Sequence, residues 1–299
     1  MSTFAAEGGA SVPNDAHLLA AREQSRQRVA VWDIADPRHP TLAATVPVRA
    51  ESQVSAAQTA FLGSTTLFVY DDDGVRLWDL TNAREPVAAS SWRPDRPLRG
   101  IAYNPRTQLL LLWDLAGPME MWDLSDLRHP HEFEKGRLSA NVKDVAFLND
   151  RTVAVVTEND KAISVWNVAN PNEPRRLSTV PADSAVDSLF VSPDETTLAE
   201  RAGFSGEVHL WGVGDSRDPV DLGLLPDVGA NSLEFAPDGR TIAMQDSRQP
   251  SDAAGVLLMT YQPDSVYRYL CASTKATITP TQWESSVAEM YPYRQPCDQ

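Results

Sequence analysis

The chain of 299 residues carries 26 Lys and Arg against 41 Asp and Glu, a formal charge of −15. A phosphate backbone or an anionic membrane surface would repel it unless a basic patch intervened, and the sequence shows none. Residues 1–16 have neither the positive n-region nor the apolar h-region of a secretory signal, no apolar run reaches the roughly 18 residues of a membrane span, and two cysteines fit a reducing compartment. A cytoplasmic protein without nucleic-acid or membrane partners is expected.

In chain order, the first clear strand is HLLAAR, after Pro13-Asn14-Asp15. Next comes the phrase VWDIADPRHP from Val31, which returns as LWDLTNAREP, MWDLSDLRHP, VWNVANPNEP and LWGVGDSRDP. Each copy places Asp or Asn four residues and Pro eight residues after a Trp: Trp32, Trp78, Trp122, Trp166 and Trp211, spaced by 46, 44, 44 and 45. Such a period marks stacked supersecondary units of propeller-blade size.

Each unit parses into four short strands separated by Gly, Pro, Asn and Asp turns. The second reads VSAAQTAFL, TTLFVY, VRLWDL and PVAASSW; the third LRGIAY, TQLLLLW, MEMWDL and a strand near HEFEKG. The fourth reads NVKDVAFL, TVAVVT, AISVWNV, RRLSTV, and the fifth AVDSLFV, TTLAERA, EVHLWGV, DLGLLP. A sixth opens with NSLEFA, TIAMQD and GVLLMT but carries Met259 where the Trp would stand. The first two strands of each unit are the most continuously apolar and are expected nearest the axis. Each signature Trp is expected to wedge between neighbouring blades, the following Asp or Asn to cap the connector, and Pro to stiffen its exit.

The first unit has a doubtful first strand in residues 2–12, so the chain is expected to begin inside a blade. The fold class is therefore all-β: a β-propeller of about six four-stranded blades, six-bladed or an incomplete seven, over residues 1–262. Residues 263–299 form a C-terminal extension, in which Thr279-Pro280-Thr281-Gln282 opens a short helix with Trp283, Val287 and Met290 on one face.

The WD units, with the hairpin signatures FAPDG and VSPDE, resemble the WD-repeat (WD40) β-propeller family across residues 13–262. The tail, with Cys271, ITPTQW and PYRQPC, resembles the extension that follows WD-repeat propellers in multidomain signalling proteins of actinobacteria. That resemblance implies a protein-interaction scaffold, alone as a monomer or as part of a larger multidomain assembly. The family's Gly-His dipeptide is absent from every unit, so its buried His network is not carried over. The connectors also resemble repeats of the LVIVD type.

The sequence contains no phosphate loop, nucleophile elbow or paired metal-ligand His motif, so no catalytic residue, cofactor or metal is assigned. Asp71-Asp72-Asp73-Gly74 lacks the spacing of a cation loop and is read as a solvated turn. His39 and His129 are read as exposed connector residues. Cys271 and Cys297 flank the terminal helix, with pairing left open and no His nearby to activate either.

Recognition should fall to loops at one rim, where Trp, Tyr and Arg are the usual anchors. Arg22, Trp92, Arg93, Trp113 and Phe204 stand near loops of that rim and form the candidate interaction surface, although each also suits cover of its own blade edge. The expected function is a non-enzymatic scaffold. The alternatives are a propeller hydrolase or lyase with a central-channel site, for which the inner strands offer few titratable groups, and a degraded or truncated paralogue.

Overall fold

The computed structural model describes residues 10–11, 17–23, 27–49, 58–114, 117–133, 138–158, 162–182, 185–202, 205–225, 230–246 and 255–261. Within them the chain is all-β, and consecutive strands pair antiparallel into six sheets. The extended segments are short, bounded by turn residues and rich in β-branched, Leu and aromatic side chains, which suits half-buried pleated ribbons rather than helices.

The first sheet orders β1 (Ala10–Ser11), β2 (Leu18–Glu23), β3 (Arg28–Asp33) and β4 (Thr41–Pro47). The second orders β5 (Gln58–Leu62), β6 (Thr66–Asp71), β7 (Gly74–Asp79) and β8 (Val87–Trp92). The third has β9 (Leu98–Asn104), β10 (Leu109–Asp114), β11 (Pro118–Asp123) and β12 (His131–Glu132), with β13 (Leu138–Ala140) also paired to β11. The fourth has β14 (Val142–Asn149), β15 (Thr152–Thr157), β16 (Ala162–Asn167) and β17 (Arg175–Pro181). The fifth has β18 (Val186–Val191), β19 (Thr197–Ala202), β20 (Val208–Gly212) and β21 (Val220–Leu224); the sixth has β22 (Ala230–Phe235), β23 (Thr241–Asp246) and β24 (Gly255–Thr260). The doubtful first strand of the opening unit is β1, which pairs Ala10 with Ala21.

In the second to fifth sheets the most completely buried strand is the second, not the first. Every residue of β6 and β10 is buried, whereas β5 and β9 are half-buried along most of their length. The first strand is an edge of its own sheet, so only one of its sides is covered by a paired neighbour; the second has strands on both sides.

The chain divides into two compact units, Met1–Leu189 with Asp215–Pro219, and Phe190–Gly214 with Val220–Gln299. In the first, successive sheets share apolar clusters. Val29, Val31 and Val46 meet Leu67 and Val69; Phe68 and Leu77 meet Leu110 and Leu112; Leu111 and Met121 meet Val153 and Val155. In the second, Val208 and Leu210 pack with Phe235, Ile242 and Met244. Burial of apolar surface between sheets, roughly 25 cal/mol per Å², is what holds such sheets face to face.

Among the described residues no helix is long and apolar enough to cross a membrane. The terminal helix, Trp283, both cysteines, Phe204 and the boundary expected after residue 262 lie outside the described residues.

Candidate functional site

In an antiparallel meander the start of the first strand, the end of the second, the start of the third and the end of the fourth share one end of the sheet. The connectors from third to fourth strand share the other.

The connector end is built for rigidity. After each signature Trp, the side chain four residues on accepts the backbone N–H two residues further: Asp36 from Arg38 at 2.9 Å, Asn82 from Arg84 at 3.3 Å, Asp126 from Arg128 at 2.9 Å, Asn170 from Asn172 at 3.2 Å and Asp215 from Arg217 at 2.9 Å. The residue next to the Trp forms a second such turn. Asp33, Asp79, Asp123 and Asn167 accept the N–H of Ala35, Thr81, Ser125 and Ala169 at 2.8–3.0 Å. This second turn was legible as the recurring Asp or Asn after Trp, since Asx side chains bond their own backbone two residues on. In the fifth copy Gly212 stands there.

His39 and His129 are exposed and bond Asp36 and Asp126 at 2.8 and 2.9 Å. Those imidazoles, with the connector N–H groups, hold both carboxyls below the usual Asp range. The signature Trp side chains pack inward: Trp78 on the first apolar cluster, Trp122 on the second and Trp166 on the third. Ladder register shifts at Trp32, Trp78, Trp166 and Trp211, a bulge that raises local twist where the chain leaves its third strand. In the second unit Trp211 is 6% exposed and His209 stacks on it, centroids 4.6 Å apart, with Asp221 Oδ1 at 2.7 Å from His209 Nε2.

The opposite end gathers polar side chains that the short inner-strand cores of the sequence did not reveal. Gln58, opening β5, donates its Nε2–H to the Arg99 carbonyl at 3.0 Å. Arg99, at the start of β9, donates Nη1–H to Glu158 Oε1, just past β15. Lys143 Nζ lies 3.0 Å from Asp187 Oδ1, and Asp144 Oδ2 accepts the Leu189 N–H at 2.7 Å. The expectation of few titratable groups on inner strands is thus corrected. They stand at the starts of LRGIAY, NVKDVAFL and AVDSLFV, ahead of the apolar stretch of each strand. Burial pushes the Asp144 carboxyl up to about 6 against the pull of the Leu189 and Val145 N–H groups, with Asp187 adding to the rise and Arg99 opposing it.

The expected interaction residues divide sharply. Trp92 is half-buried and stacks on Trp122, centroids 4.9 Å apart at 26°. Arg93 is exposed, and its Nη2–H reaches the Asp72 carbonyl at 2.9 Å. The backbone of both closes on Gly74, whose φ is +109°; a Cβ there would lie 2.5 Å from the Trp92 carbonyl oxygen, so this turn needs glycine. Trp113 is 4% exposed, its ring laid over Gly100, and Arg22 is 8% exposed. Both are thus largely enclosed, where positions near an exposed rim were expected. Asp71 is a further correction, being 2% exposed rather than solvated. It pairs with Arg76 and accepts the N–H groups of Arg49 at 2.8 Å and Asp73 at 3.0 Å.

At this same end of the third sheet a cleft of about 60 Å³ opens beside Trp113, Asp114 and Arg96. Among the described residues, no group of three His, Cys, Asp or Glu is placed to hold a metal ion.

No protein-family model and no curated protein matches the sequence. Solved structures do match it. A functionally unknown protein from Desulfotomaculum acetoxidans aligns with a TM-score of 0.62 at 14% identity, covering 84% of this chain and 81% of its own. The β-propeller domain of Cps50 (Swd1) from Myceliophteria thermophila gives 0.61 at 14%, covering 85% and 83%. A Bacteroides uniformis protein named as a 6-phosphogluconolactonase gives 0.62 at 14%, covering 84% and 82%. Likeness at this identity shows the fold: the chain is a β-propeller.

Proposed function

We propose that the chain is a WD-repeat β-propeller acting as a non-enzymatic, cytoplasmic scaffold for protein partners, alone or as the sensor portion of a larger signalling assembly. Trp92 and Arg93 lie at the centre of its recognition surface. The observation that carries this reading is the use of the inner-strand polar groups. Gln58, Arg99, Lys143 and Asp144 each bridge to a neighbouring strand or its flanking turn, which stiffens the sheets. Trp92 and Arg93, by contrast, sit where the chain leaves β8, with Arg93 exposed and anchored by its neighbour's carbonyl. A held Arg beside a stacked Trp pair loses little side-chain freedom on binding, the usual character of an interface anchor. The test is affinity capture followed by identification of retained proteins, with wild type, Trp92→Ala and Arg93→Ala. The expected result is a partner held by wild type and lost from both variants; retention by both would overturn the assignment of this surface.

One observation favours the hydrolase alternative. Asp144, pushed up to about 6 beside Arg99, has the protonation behaviour of a general base working near neutral pH, and one structural neighbour is named as a lactonase. Lactone hydrolysis lost in Asp144→Asn would establish that reading in place of the scaffold; no turnover by wild type would leave the scaffold.

A further inference from the structure

The first five sheets each continue past their third strand, whereas among the described residues the sixth ends at β24. β24 is apolar on both faces. Leu257 and Met259 pack into the cluster of Phe235, Ile242 and Met244, while Val256 and Leu258 are 68% and 69% exposed. Natural edge strands discourage pairing with charges, Pro or bulges. Neither a charge nor Pro interrupts GVLLMT, and its ladder with β23 runs without a shift. The Tyr261 N–H donates to the Arg240 carbonyl at 3.3 Å, so by alternation the N–H groups of Val256, Leu258 and Thr260 point to the open side.

The fifth sheet shows the matching gap. At the bulge of the outer strands the skipped residue is half-buried where it is Ala43, Ala89 or Leu177, but its counterpart Leu222 is 47% exposed. Leu222 Cδ2 lies 3.7 Å from where a Cβ of Gly212 would stand, on the face of β20 whose Leu210 packs with the sixth sheet. A fourth strand beside β24 would supply the cover that Leu222 lacks.

A segment suited to that place follows β24 directly. Gln262-Pro263-Asp264-Ser265 has the composition of a tight turn, Pro presetting φ at about −65° and Asp able to bond its own backbone. The next residues, VYRYLCA at 266–272, are β-branched and aromatic, and both alternate sets are mainly apolar: Val266 and Leu270 against Tyr267, Tyr269 and Cys271. We propose that residues 266–272 pair antiparallel with the open edge of β24 and complete the sixth sheet. One set of side chains covers Val256 and Leu258, and the other covers Leu222. The sixth unit, with Met259 at the signature position, thereby replaces the long connector by a short turn. Its edge is closed to partner strands, and the proposal stands apart from recognition at Trp92 and Arg93.

The test uses the full chain with p-benzoylphenylalanine in place of Leu258, irradiated and mapped by peptide mass spectrometry. The expected product is a bond to a residue within 266–272 of the same molecule. A bond to a second copy or to any other segment would overturn the proposal, as would no bond. Amide exchange gives a second reading, independent of the photoprobe. In wild type the outward amides of Val256, Leu258 and Thr260 are expected to exchange as slowly as those of Leu257 and Met259; free exchange there would overturn the proposal. The variants are Arg268→Pro and Tyr269→Pro. Adjacent residues of a strand turn their N–H groups to opposite sides, so one of the two removes a ladder donor whatever the register. That variant is expected to speed exchange at the three outward amides by about tenfold or more. Slow exchange in both variants would show that another strand holds the edge, and the proposal would fall.

Discussion

The carboxylate of Asp144 accepts the backbone N–H of Leu189 at 2.7 Å, tying β14 to β18 across 45 residues of sequence. The same carboxyl is pushed up to about 6 by burial. Its protonated form is therefore favoured by the fold, and its ionisation opposes it. Native protein holds this proton more tightly than unfolded chain, so stability falls as pH rises from about 4 to about 6 and is level above. The difference between 3.8 and about 6 corresponds to at most about 3 kcal/mol. Asp144→Asn keeps an acceptor for Leu189 without the charge. It is expected to gain about 1–3 kcal/mol in urea unfolding near pH 8, with little gain near pH 4. An equal change at both pH values would remove ionisation as the cause.

Gly100 lies opposite Trp113 in the β9–β10 ladder, and a Cβ there would stand 2.3 Å from the indole ring. Gly100→Ala must push that ring out of the cluster it shares with Met119 and Val145. The expected loss is about 1–3 kcal/mol, the usual range of overpacking. Combining it with Trp113→Leu should cost less than the sum of the two changes, because the smaller side chain vacates the collision; strict additivity in denaturant unfolding would count against the contact.

The fifth connector lacks the first of its two Asx turns. Gly212 occupies the position of Asp33, Asp79, Asp123 and Asn167, and a Cβ there meets its nearest atoms at 3.6–3.7 Å, an ordinary contact. Gly212→Asn should let the side chain accept the Gly214 N–H while restricting the unfolded chain. It is expected to stabilise by about 0.5–1 kcal/mol, read as a higher thermal midpoint. A lower midpoint would show that this connector differs in more than one side chain.

Asp71 is enclosed at the end of β6, pairs with Arg76 and accepts two backbone N–H groups. Asp71→Ala leaves a largely buried guanidinium and two donors unmatched, and is expected to destabilise by about 3–5 kcal/mol. Asp73→Ala, where the side chain is 40% exposed and pairs with Arg49 at 3.3 Å, should change stability by at most about 1 kcal/mol. Equal effects in parallel unfolding curves would contradict the burial difference.

The three carboxylates of the turn at residues 71–73 look alike in sequence, and only Asp71 is interior. A polar residue at the end of a strand is solvated or enclosed according to which neighbouring segment crosses it. Here the crossing segment is the one before β5, whose Arg49 N–H points at the carboxylate. The same reason separates Trp92 from Trp113. Both leave strands toward the same end of their sheets, yet one stacks half-exposed on Trp122 while the other is sealed over Gly100.

By itself the sequence determined the strand order, the connector turns and the unit boundaries, because these follow from local alternation, from Asx chemistry within a few residues and from a repeat near 45. Tertiary structure alone decided which polar side chains the fold uses. Gln58 meets Arg99, Lys143 meets Asp187 and Asp144 meets Leu189 only once separate sheets are side by side. Contacts at separations of about 40 residues leave no mark in the periodicity of either strand. The cleft beside Asp114 likewise exists only where a link, a strand end and a strand start converge.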